Sequence, residues 1–191
     1  MLIKQIQGSK IYSKFDCKSG YWQIKLDEES KPLTSFTTPN PLGQFEWNVM
    51  PFGLMNAPAI FQQRMDKIIR PIKNFCIVYV DDILIHSKNL KEHIEHLKKF
   101  NYIAKKYGLA LSERKAEIAK TEIEFLGYIF TEEKILQQPH IGKKIIEFPE
   151  EIRDKKELQS FIGLLNYSEK FIKNCAKYKV HFTKKLKKGV V

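Results

Sequence analysis

Two short apolar runs, Phe75–Val80 and Ile83–Ile85, stand on either side of two adjacent carboxylates, Asp81 and Asp82. Runs this short that are rich in Val, Ile, Tyr and Phe are typical of β-strands. They predict a hairpin with the acidic pair at the turn where the chain reverses. A further predicted strand, Ile11–Asp16, ends in a third carboxylate.

Alternating apolar and polar residues predict an antiparallel pair of strands elsewhere in the chain. The alternating stretches are Thr34–Thr38 and Gln44–Met50, and the Pro- and Gly-containing loop Pro39–Gly43 joins them. Two further short strands are expected at Leu109–Leu111 and at Ile123–Phe130, the second of them broken by Gly127.

Apolar residues at helical spacing predict three amphipathic helices. The first begins with Asn56 as N-cap and Pro58 in the first turn. The second extends from the cap Asn89 to Gly108, and the third follows a capping-box-like start at Asp154–Glu157. Their expected apolar positions are Ile60, Phe61, Met65, Ile68 and Ile69; Leu90, Ile94, Leu97, Ala104 and Tyr107; and Leu158, Phe161, Leu165, Phe171 and Ile172.

The carboxylates are the first candidate site. Adjacent carboxylates repel each other, and their burial without a partner costs several kcal/mol or shifts their pKa values. A cation removes this penalty, and Mg²⁺ takes one or two carboxylates together with waters and substrate phosphates. The alternatives are an ordinary acidic turn at Asp81 and Asp82, and a cap on the following turn at Asp16.

Histidines and cysteines are weaker candidates. His93 and His96 lie three residues apart on the second predicted helix, with neither a third ligand nor an HExxH spacing, and we interpret them as surface residues. The three cysteines, Cys17, Cys76 and Cys175, are widely spaced and form no CxxC pair. This pattern favours reduced thiols of an intracellular protein over disulfides or a thiolate metal site.

The composition indicates an anionic partner. The 191 residues, enough for one domain with a small appendage, include 33 Lys and Arg against 22 Asp and Glu, a formal net charge of +11. Nucleic acid is the usual partner of such a basic chain. No acid follows Glu169, so the lysine-rich end is either a solvated tail or a phosphate-contacting surface. The sequence shows no signal peptide and no apolar run of membrane-spanning length.

The motifs, taken in order, resemble those of reverse transcriptases. They are the strand ending at Asp16, NAPAIFQ (Asn56–Gln62), YVDD (Tyr79–Asp82) and EFLGYIF (Glu124–Phe130). SKFDCKSGYWQIKL, FEWNVMPFGLMNAPAIFQ, LQQPHIGKKIIEFP and DKKELQSFIGLLNY more closely resemble plant pararetroviruses, the caulimovirus and badnavirus group, and less closely gypsy-type retrotransposons. The resemblance extends from about Ile11 to Ile172.

The resemblance implies an α+β fold, a right-hand polymerase palm with partial fingers and the start of a helical thumb. The palm is an antiparallel sheet with helices on one face. It is expected at 1–138, with the fingers segment embedded at about 25–55. The connection and the first thumb helix, Leu158–Ile172, which tracks the minor groove of the duplex, are expected within 139–191.

The resemblance also implies a metal-dependent reaction, RNA-directed DNA polymerisation. Asp16, Asp81 and Asp82 match the family's three palm aspartates, where two Mg²⁺ ions bind, with Mn²⁺ as an alternative. With these metals, the primer 3′-hydroxyl is activated to attack the α-phosphate of a dNTP, and charge on the departing pyrophosphate is neutralised. Catalysis is then mostly positioning and electrostatics.

Further site residues are implied by the same matches. Tyr21 matches the family's aromatic steric gate against ribose, with a core aromatic as the alternative interpretation. Phe52 and Gly53 precede NAPAIFQ, where the family contacts the incoming nucleotide and the template. Lys115 resembles the lysine assigned to protonate pyrophosphate, although nearby Arg114 and Lys120 leave that choice open. The match to the primer grip is Phe125, Leu126 and Gly127.

The implied partners are an RNA or DNA template with a DNA primer, dNTPs, and RNase H and protease regions of a parent polyprotein. The expected location is cytoplasmic, including virus-like particles, with no membrane and no secretion. Only about fifteen residues precede Asp16, so the family's N-terminal fingers segment is not matched.

Two hypotheses of different class follow. The chain is the polymerase core of a larger polyprotein, or it is a remnant of an integrated viral element that binds nucleic acid without effective catalysis. A generic basic RNA-binding module would need an exposed aromatic stacking platform, and the sequence pattern indicates none.

Overall fold

The computed structural model describes residues 5–39 and 41–188, and its contacts divide the chain into two units, Met1–Ile123 and Glu124–Val191. The strands are β1 (Ile11–Asp16), β2 (Phe36–Thr37), β3 (Gln44–Phe45), β4 (Cys76–Tyr79), β5 (Asp82–Ser87), β6 (Glu117–Lys120), β7 (Ile123–Phe125), β8 (Tyr128–Phe130) and β9 (Ile135–Gln137). The α-helices are α1 (Ala57–Ile69), α2 (Leu90–Tyr107), α3 (Pro139–Ile146), α4 (Lys155–Ser168) and α5 (Cys175–Lys188).

The first unit is built on a four-stranded antiparallel sheet in the order β4–β5–β1–β6. Strands β4 and β5 form the predicted hairpin, since Tyr79 pairs with Asp82 and only Val80 and Asp81 remain for the turn. Val80 has a φ of 52°, the left-handed conformation that two-residue hairpin loops use. On the other side of β5, Asp16 pairs with Asp82, so the ends of β1 and β5 lie side by side.

Helices α1 and α2 supply the core of this unit. Their buried side chains pack with those of the central hairpin, as the sequence predicted for most of α1. The shared cluster includes Phe61, Met65, Ile68, Val78, Ile83, Ile85, Phe100, Ile103 and Ala104. Each large apolar side chain buried in this way contributes about 1.5–3 kcal/mol, so the hairpin is anchored from one face.

The helix faces differ in part from those expected. Ile60 on α1 is 39% exposed, and Leu90 and Ile94 on α2 are 54% and 46% exposed. The sheet beneath α2 presents serine hydroxyls, and the helix turns a polar residue, His93, toward them. Its buried positions are His93, Phe100, Ile103 and Ala104.

The helix caps also differ from one another. Asn89 accepts the N–H of Glu92 at 2.9 Å, as predicted for an N-cap. Asn56 precedes α1 as expected, but its side chain forms no capping hydrogen bond. Pro58 in the first turn, which lacks an N–H, reduces the need for one.

Several strands are shorter than predicted. The alternating pair reduces to β2 and β3, where Phe36 lies opposite Phe45. Leu109–Leu111 forms no strand, and only an isolated bridge joins Leu111 to Cys17. The β2–β3 ribbon has no third strand to stabilise its hydrogen-bond ladder, which explains why both of its strands end early.

His93 is fully buried, and the prediction of a surface residue is wrong for it. Its Nε2 lies 2.7 Å from Ser13 Oγ and its Nδ1 lies 2.8 Å from Ser87 Oγ. His96, which is half-buried, shares Ser87 and stacks on Phe75 with ring centroids 3.7 Å apart. The hydroxyls of Ser13 and Ser87 satisfy both imidazole nitrogens of His93, which makes its burial possible. The helical spacing of apolar residues did not predict this burial.

A second buried histidine, His86, makes stability depend on pH. Burial is the largest cause that lowers its pKa, from 6.5 to about 4, and burial also lowers the pKa of His93. Burial disfavours the charged form of His86 only in the folded state, so the unfolded chain takes up a proton first as pH falls. Stability is therefore fully retained above pH 6.5 and is lost as pH falls toward 4. We expect unfolding free energy to drop by about 2 kcal/mol between pH 7 and pH 5.

Thermal or urea unfolding across this range measures the effect. His86→Asn, which keeps a neutral polar group near Ser9 Oγ, 2.8 Å from His86 Nδ1 in the native chain, should lose less stability on acidification. An unchanged pH slope in that variant would remove His86 as the cause.

The cysteines are free and buried, as predicted. Burial raises the pKa of Cys17 and of Cys76 to about 12. For Cys17 the neighbouring aspartates add to the effect. Both therefore remain thiols at neutral pH and have little nucleophilic reactivity.

The second unit combines a three-stranded sheet, β7–β8–β9, with helices α3 to α5. The predicted cap of α4 is confirmed, because Asp154 Oδ1 accepts the N–H groups of Lys156 and Glu157 at 2.7 and 2.8 Å. The helix ends at Ser168, so the prediction that it continues through Phe171 and Ile172 is wrong.

The lysine-rich end forms α5, whose Lys187 and Lys188 side chains lie outside the described residues. Among the helices described, none has both the length and the apolar character needed to cross a membrane.

Candidate active site

Three carboxylates meet at one edge of the first sheet. Asp16 is the last residue of β1, and Asp82 is the first of β5 and its pairing partner. Asp81 occupies the turn between β4 and β5, and its carbonyl accepts the N–H of Cys17 at 2.9 Å. Strand pairing therefore brings together the three aspartates that the sequence singled out.

The electrostatics of this cluster favour a cation. Asp81 and Asp82 are half-buried, and their pKa values are raised first by desolvation and next by repulsion from Asp16. Asp81 Oδ1 is also buried without a hydrogen-bond partner. A divalent metal ion would satisfy that oxygen and offset the repulsion, so the donor set fits such an ion. Among the described residues, no group of three or more His, Cys, Asp or Glu side chains is positioned to hold a metal ion as it stands.

Lys115 is the basic residue that the structure brings to the aspartates. Its Nζ lies 3.1 Å from both carboxylate oxygens of Asp16. Arg114 lines the same cavity of about 380 Å³ beside Asp16 and Asp82. Lys120 is placed farther along β6, opposite Tyr12. Of the three candidates left open by the sequence, Lys115 thus has the direct contact.

Gln62 on α1 holds the turn that carries Asp81. Its Oε1 accepts the N–H of Val80 at 2.7 Å, and its Nε2 donates to the carbonyl of Val78 at 3.2 Å and to Asp66 at 2.9 Å. These bonds secure a left-handed residue that is β-branched, a costly conformation. Sequence reasoning included Gln62 in the NAPAIFQ motif and assigned it no role.

Gly20 lies directly against Asp81. A Cβ built at Gly20 would collide with Asp81 Oδ1 and would stand 2.9 Å from Phe61 Cζ. Only a residue without a side chain permits this approach. In the sequence, the position of Gly20 four residues after Asp16 was the one available signal of this contact.

Tyr21 is half-buried beside the aspartates, between two other rings. Its centroid is 5.1 Å from that of Phe52 and 5.7 Å from that of Phe61. Phe52 is 58% exposed, and Gly53 next to it has a φ of 94°, which glycine adopts at little cost. Tyr21 and Phe52, both expected to contact a nucleotide, are thus neighbouring rings, and Gly53 follows Phe52 directly. Of the three residues, Tyr21 is partly covered by the rings around it.

Phe125, Leu126 and Gly127 belong to the second unit. Phe125 is buried, and Leu126 and Gly127 turn the chain with φ values of 49° and 81°. A Cβ at Gly127 would stand 2.6 Å from a Tyr167 ring carbon, so glycine is required for packing here as well. This tight turn joins β7 to β8, where the sequence predicted one interrupted strand.

Residues 1–130 match the family model for reverse transcriptase (RNA-dependent DNA polymerase). The chain belongs to the reverse transcriptase family. Over 189 residues it is 46% identical to the enzymatic polyprotein of cauliflower mosaic virus, strain NY8153, which covers 99% of this chain and 28% of the polyprotein. It is 44% identical to the enzymatic polyprotein of figwort mosaic virus, with the same 99% and 28% coverage.

Solved structures agree with this assignment. A foamy viral protease-reverse transcriptase in complex with double-stranded DNA has a TM-score of 0.77 and 28% identity, over 94% of this chain and 31% of that one. The same type of protein in complex with an RNA/DNA hybrid has a TM-score of 0.66 and 30% identity, over 83% and 21%. The predicted α+β polymerase palm and its relation to the caulimovirus group are confirmed. This reverse transcriptase chain spans 28% of the length of its viral relatives.

One expectation about the reverse transcriptase chain is wrong, namely that no exposed aromatic pattern exists. A continuous row of rings connects Phe52 to Trp22, Trp22 to Trp47, Trp47 to Phe36 and Phe36 to Phe45, with centroids 5.8, 6.0, 6.0 and 6.1 Å apart. We call these five residues the aromatic belt. Phe45 and Trp47 alternate in sequence, but Trp22 and Phe52 join them only through the fold.

Proposed function

We propose that this chain is the core of an RNA-directed DNA polymerase that adds dNTPs to a primer 3′-hydroxyl. The observation that carries the proposal is the meeting of Asp16, Asp81 and Asp82 at one sheet edge, with Asp81 Oδ1 buried and unpaired. The pKa values of Asp81 and Asp82 are raised although Lys115 is nearby, so the neighbouring cations do not neutralise the cluster. Such a cluster favours the binding of a divalent metal ion. Membership of the reverse transcriptase family supports polymerisation as the reaction.

The proposed metal ligands are these same three aspartates, with two Mg²⁺ ions as the expected occupants and Mn²⁺ as the alternative. Bound metal supplies activation of the attacking oxygen and neutralisation of charge on the leaving group. The chain itself supplies position. Gln62 holds the turn at Val80, and Gly20 leaves room for the Asp81 carboxylate.

The remaining site residues have proposed roles in nucleotide handling. Lys115, held at Asp16, is placed to move toward a phosphate and to donate a proton to departing pyrophosphate. The Tyr21 ring supports the sugar and excludes a 2′-hydroxyl, and Phe52 and Gly53 border the base. Phe125, Leu126 and Gly127 are proposed to hold the primer strand.

The proposed substrates are a DNA primer on an RNA or DNA template, and dNTPs. The foamy viral relatives were captured with double-stranded DNA and with an RNA/DNA hybrid, which supports this choice. We further propose a palm with embedded fingers at 1–138 and a connection with the thumb start at 139–191. RNase H and protease regions in a parent polyprotein, and action in the cytoplasm or in virus-like particles, complete the proposal.

Primer extension tests the function. The 191-residue chain is incubated with an RNA template, a DNA primer, dNTPs and Mg²⁺, and products are resolved at single-nucleotide length. We expect extension that depends on the template and on the divalent metal. Salt-sensitive duplex binding without extension would contradict the proposal and would favour a nucleic-acid-binding remnant instead.

The proposed role of Tyr21 gives a separate prediction. Tyr21→Val removes the ring that would clash with a ribose 2′-hydroxyl, so discrimination against ribonucleotides should fall about 10- to 100-fold, the range expected for losing a clash of about 1–3 kcal/mol. Competing dNTP and rNTP incorporation measures the ratio. Tyr21→Phe, which keeps the ring, is the matched control and should retain selection. Unchanged rejection of ribonucleotides by Tyr21→Val would exclude Tyr21 as the gate.

A further inference from the structure

Lys115 contacts Asp16, one of the three proposed metal ligands, through both carboxylate oxygens. Its Nζ lies 3.1 Å from Oδ1 and 3.1 Å from Oδ2, so a single ammonium group occupies the carboxylate. The Lys115 side chain is 66% exposed, whereas that of Asp16 is 23% exposed. The lysine therefore lies mostly in solvent, and its departure requires no rearrangement of buried side chains.

The backbone that carries Lys115 is fixed on both sides. Before it, the N–H of Ser112 donates to the carbonyl of Asp16 at 2.9 Å. After it, Glu117 begins β6, pairs with Lys14 of β1 and forms an ion pair with the Lys14 side chain at 2.6 Å. Only one short helical turn lies between these anchors. The side chain of Lys115, with its flexible four-carbon stem, is therefore the part that can move.

The charge of Lys115 also acts on the other two aspartates. The pKa values of Asp81 and Asp82 are raised first by desolvation, and Lys115 is among the charges that lower them. Asp81 Oδ1 nevertheless remains buried without a hydrogen-bond partner. The lysine thus offsets part of a repulsion that a divalent ion would offset more completely.

The observed position of Lys115 conflicts with metal binding at Asp16. Mg²⁺ and Mn²⁺ take carboxylate oxygens as ligands. Both oxygens of Asp16 already face the ammonium group. A divalent ion at either oxygen would stand close to a like charge, and repulsion between charges rises as their separation falls. In this arrangement, one cation holds Asp16 at a time.

We propose that Lys115 is a displaceable cation, which holds Asp16 in the metal-free chain and leaves it when a divalent metal ion binds. By reciprocity, Lys115 weakens metal binding by the same factor by which the metal weakens the contact between Lys115 and Asp16. The amine becomes available to a substrate phosphate only after the metal site is filled, which places the two events in order. The inference rests on the proposed polymerase function for its metal site and its phosphate.

Metal binding without primer or nucleotide tests the displacement. Mn²⁺ is titrated into the full chain at about 0.15 M salt, where distant charges are screened, and free Mn²⁺ is measured by electron paramagnetic resonance. Lys115→Met, which keeps an unbranched apolar stem, should bind Mn²⁺ about 5-fold more tightly, the factor for a strong exposed ion pair. Lys115→Arg, whose fork can hold both oxygens of Asp16, should bind Mn²⁺ no more tightly than the native chain.

Two control variants separate displacement from a general effect of charge. Arg114→Met removes the same charge from the same cavity. Among the described residues, however, Asp16 forms its ion pair with Lys115 and not with Arg114. Mn²⁺ affinity should therefore change by less than about 2-fold in Arg114→Met. Asp81→Asn should lose most of the Mn²⁺ binding, which ties the titration to the aspartate cluster.

The native chain gives an independent readout of the lysine itself. Mild acylation of amines, followed by peptide mass spectrometry, compares the reaction of Lys115 with and without saturating Mn²⁺ at one pH. Lys115 should react about 5-fold faster once it is released from Asp16. Lys105, an exposed lysine of α2, is the internal reference and should react at an unchanged rate. Because no substitution is made, a folding defect cannot produce this result.

The outcomes separate this inference from the polymerase proposal. Equal Mn²⁺ affinity in the native chain and Lys115→Met would overturn the displacement, and so would equal tightening in Arg114→Met or an unchanged acylation rate of Lys115. With metal-dependent primer extension intact, these results leave the polymerase proposal standing. Absence of Mn²⁺ binding in the native chain and in every variant would overturn both, because the metal site itself would then be missing.

Discussion

Asp81→Asn should abolish primer extension, with a loss of about 10³-fold or more, while duplex binding remains largely unchanged. The substitution keeps the shape of the side chain and removes the charge that a divalent metal needs, and about 4 kcal/mol of transition-state stabilisation corresponds to that factor. The Asp81 carboxylate is itself negative, so it cannot attract a phosphate, and its replacement by a neutral amide should leave duplex affinity largely unchanged. Single-turnover extension and salt-dependent duplex binding, measured on the same preparation, give the two quantities.

Stability supplies the second readout for this variant. The pKa of Asp81 is raised by desolvation and by Asp16 and Asp82, so its ionised form costs folding free energy at neutral pH. Asp81→Asn should therefore be as stable as the native chain in metal-free buffer, or more so. Asp27→Asn, at an exposed carboxylate that caps Ser30, is the control and should retain extension. Equal loss of duplex binding in Asp81→Asn would contradict the metal-ligand role.

Gly20→Ala should reduce extension by about 100-fold and cost about 1–3 kcal/mol of stability, the range for an overpacked site. The new methyl group would collide with Asp81 Oδ1 and crowd Phe61 Cζ at 2.9 Å. Either the carboxylate or the backbone after β1 must move, and both changes displace a proposed metal ligand. Catalytic groups tolerate little displacement, since misplacement by about 1 Å costs about 100-fold.

Gly163→Ala is the matched control for this prediction. Gly163 lies within α4, and a Cβ there meets no atom within 4 Å. Alanine should be neutral or stabilising by up to about 1 kcal/mol, because glycine is a poor helix former. Melting temperature and extension are measured for both variants. Native-level extension in Gly20→Ala would mean that Asp81 is not held against Gly20 in the working enzyme.

Local features were predictable from the sequence because short-range physics determines them. The hairpin follows from two apolar runs and the gap Asp81–Asp82 between them, although the turn itself lies one residue earlier, at Val80–Asp81. The caps at Asn89 and Asp154 follow from side chains that satisfy nearby N–H groups. The three aspartates were found in the same way, since Asp16 ends a strand, Asp82 begins one and Asp81 lies in the turn before it.

Packing faces were less predictable because they depend on the partner surface. Ile94 fits the helical period of α2 yet is 46% exposed, whereas His93 is buried against Ser13 and Ser87. A prediction from hydrophobic periodicity counts histidine as a polar, exposed residue. The burial of His93 becomes favourable only because strands β1 and β5 place the hydroxyls of Ser13 and Ser87 against it. Gln62 was inconspicuous for the same reason, because its backbone partners lie 16 and 18 residues away.

By itself the sequence determined the order of elements, the acidic turn, the basic balance and the resemblance to reverse transcriptases. These follow from composition, local propensity and motifs that neighbouring residues encode. Only the tertiary structure decided that Asp16 faces Asp82, that Gly20 lies under Asp81 and that Trp22 and Phe52 join Trp47 in the aromatic belt. Each of these contacts joins residues distant in the chain, and strand pairing and helix docking, not local preference, bring them together.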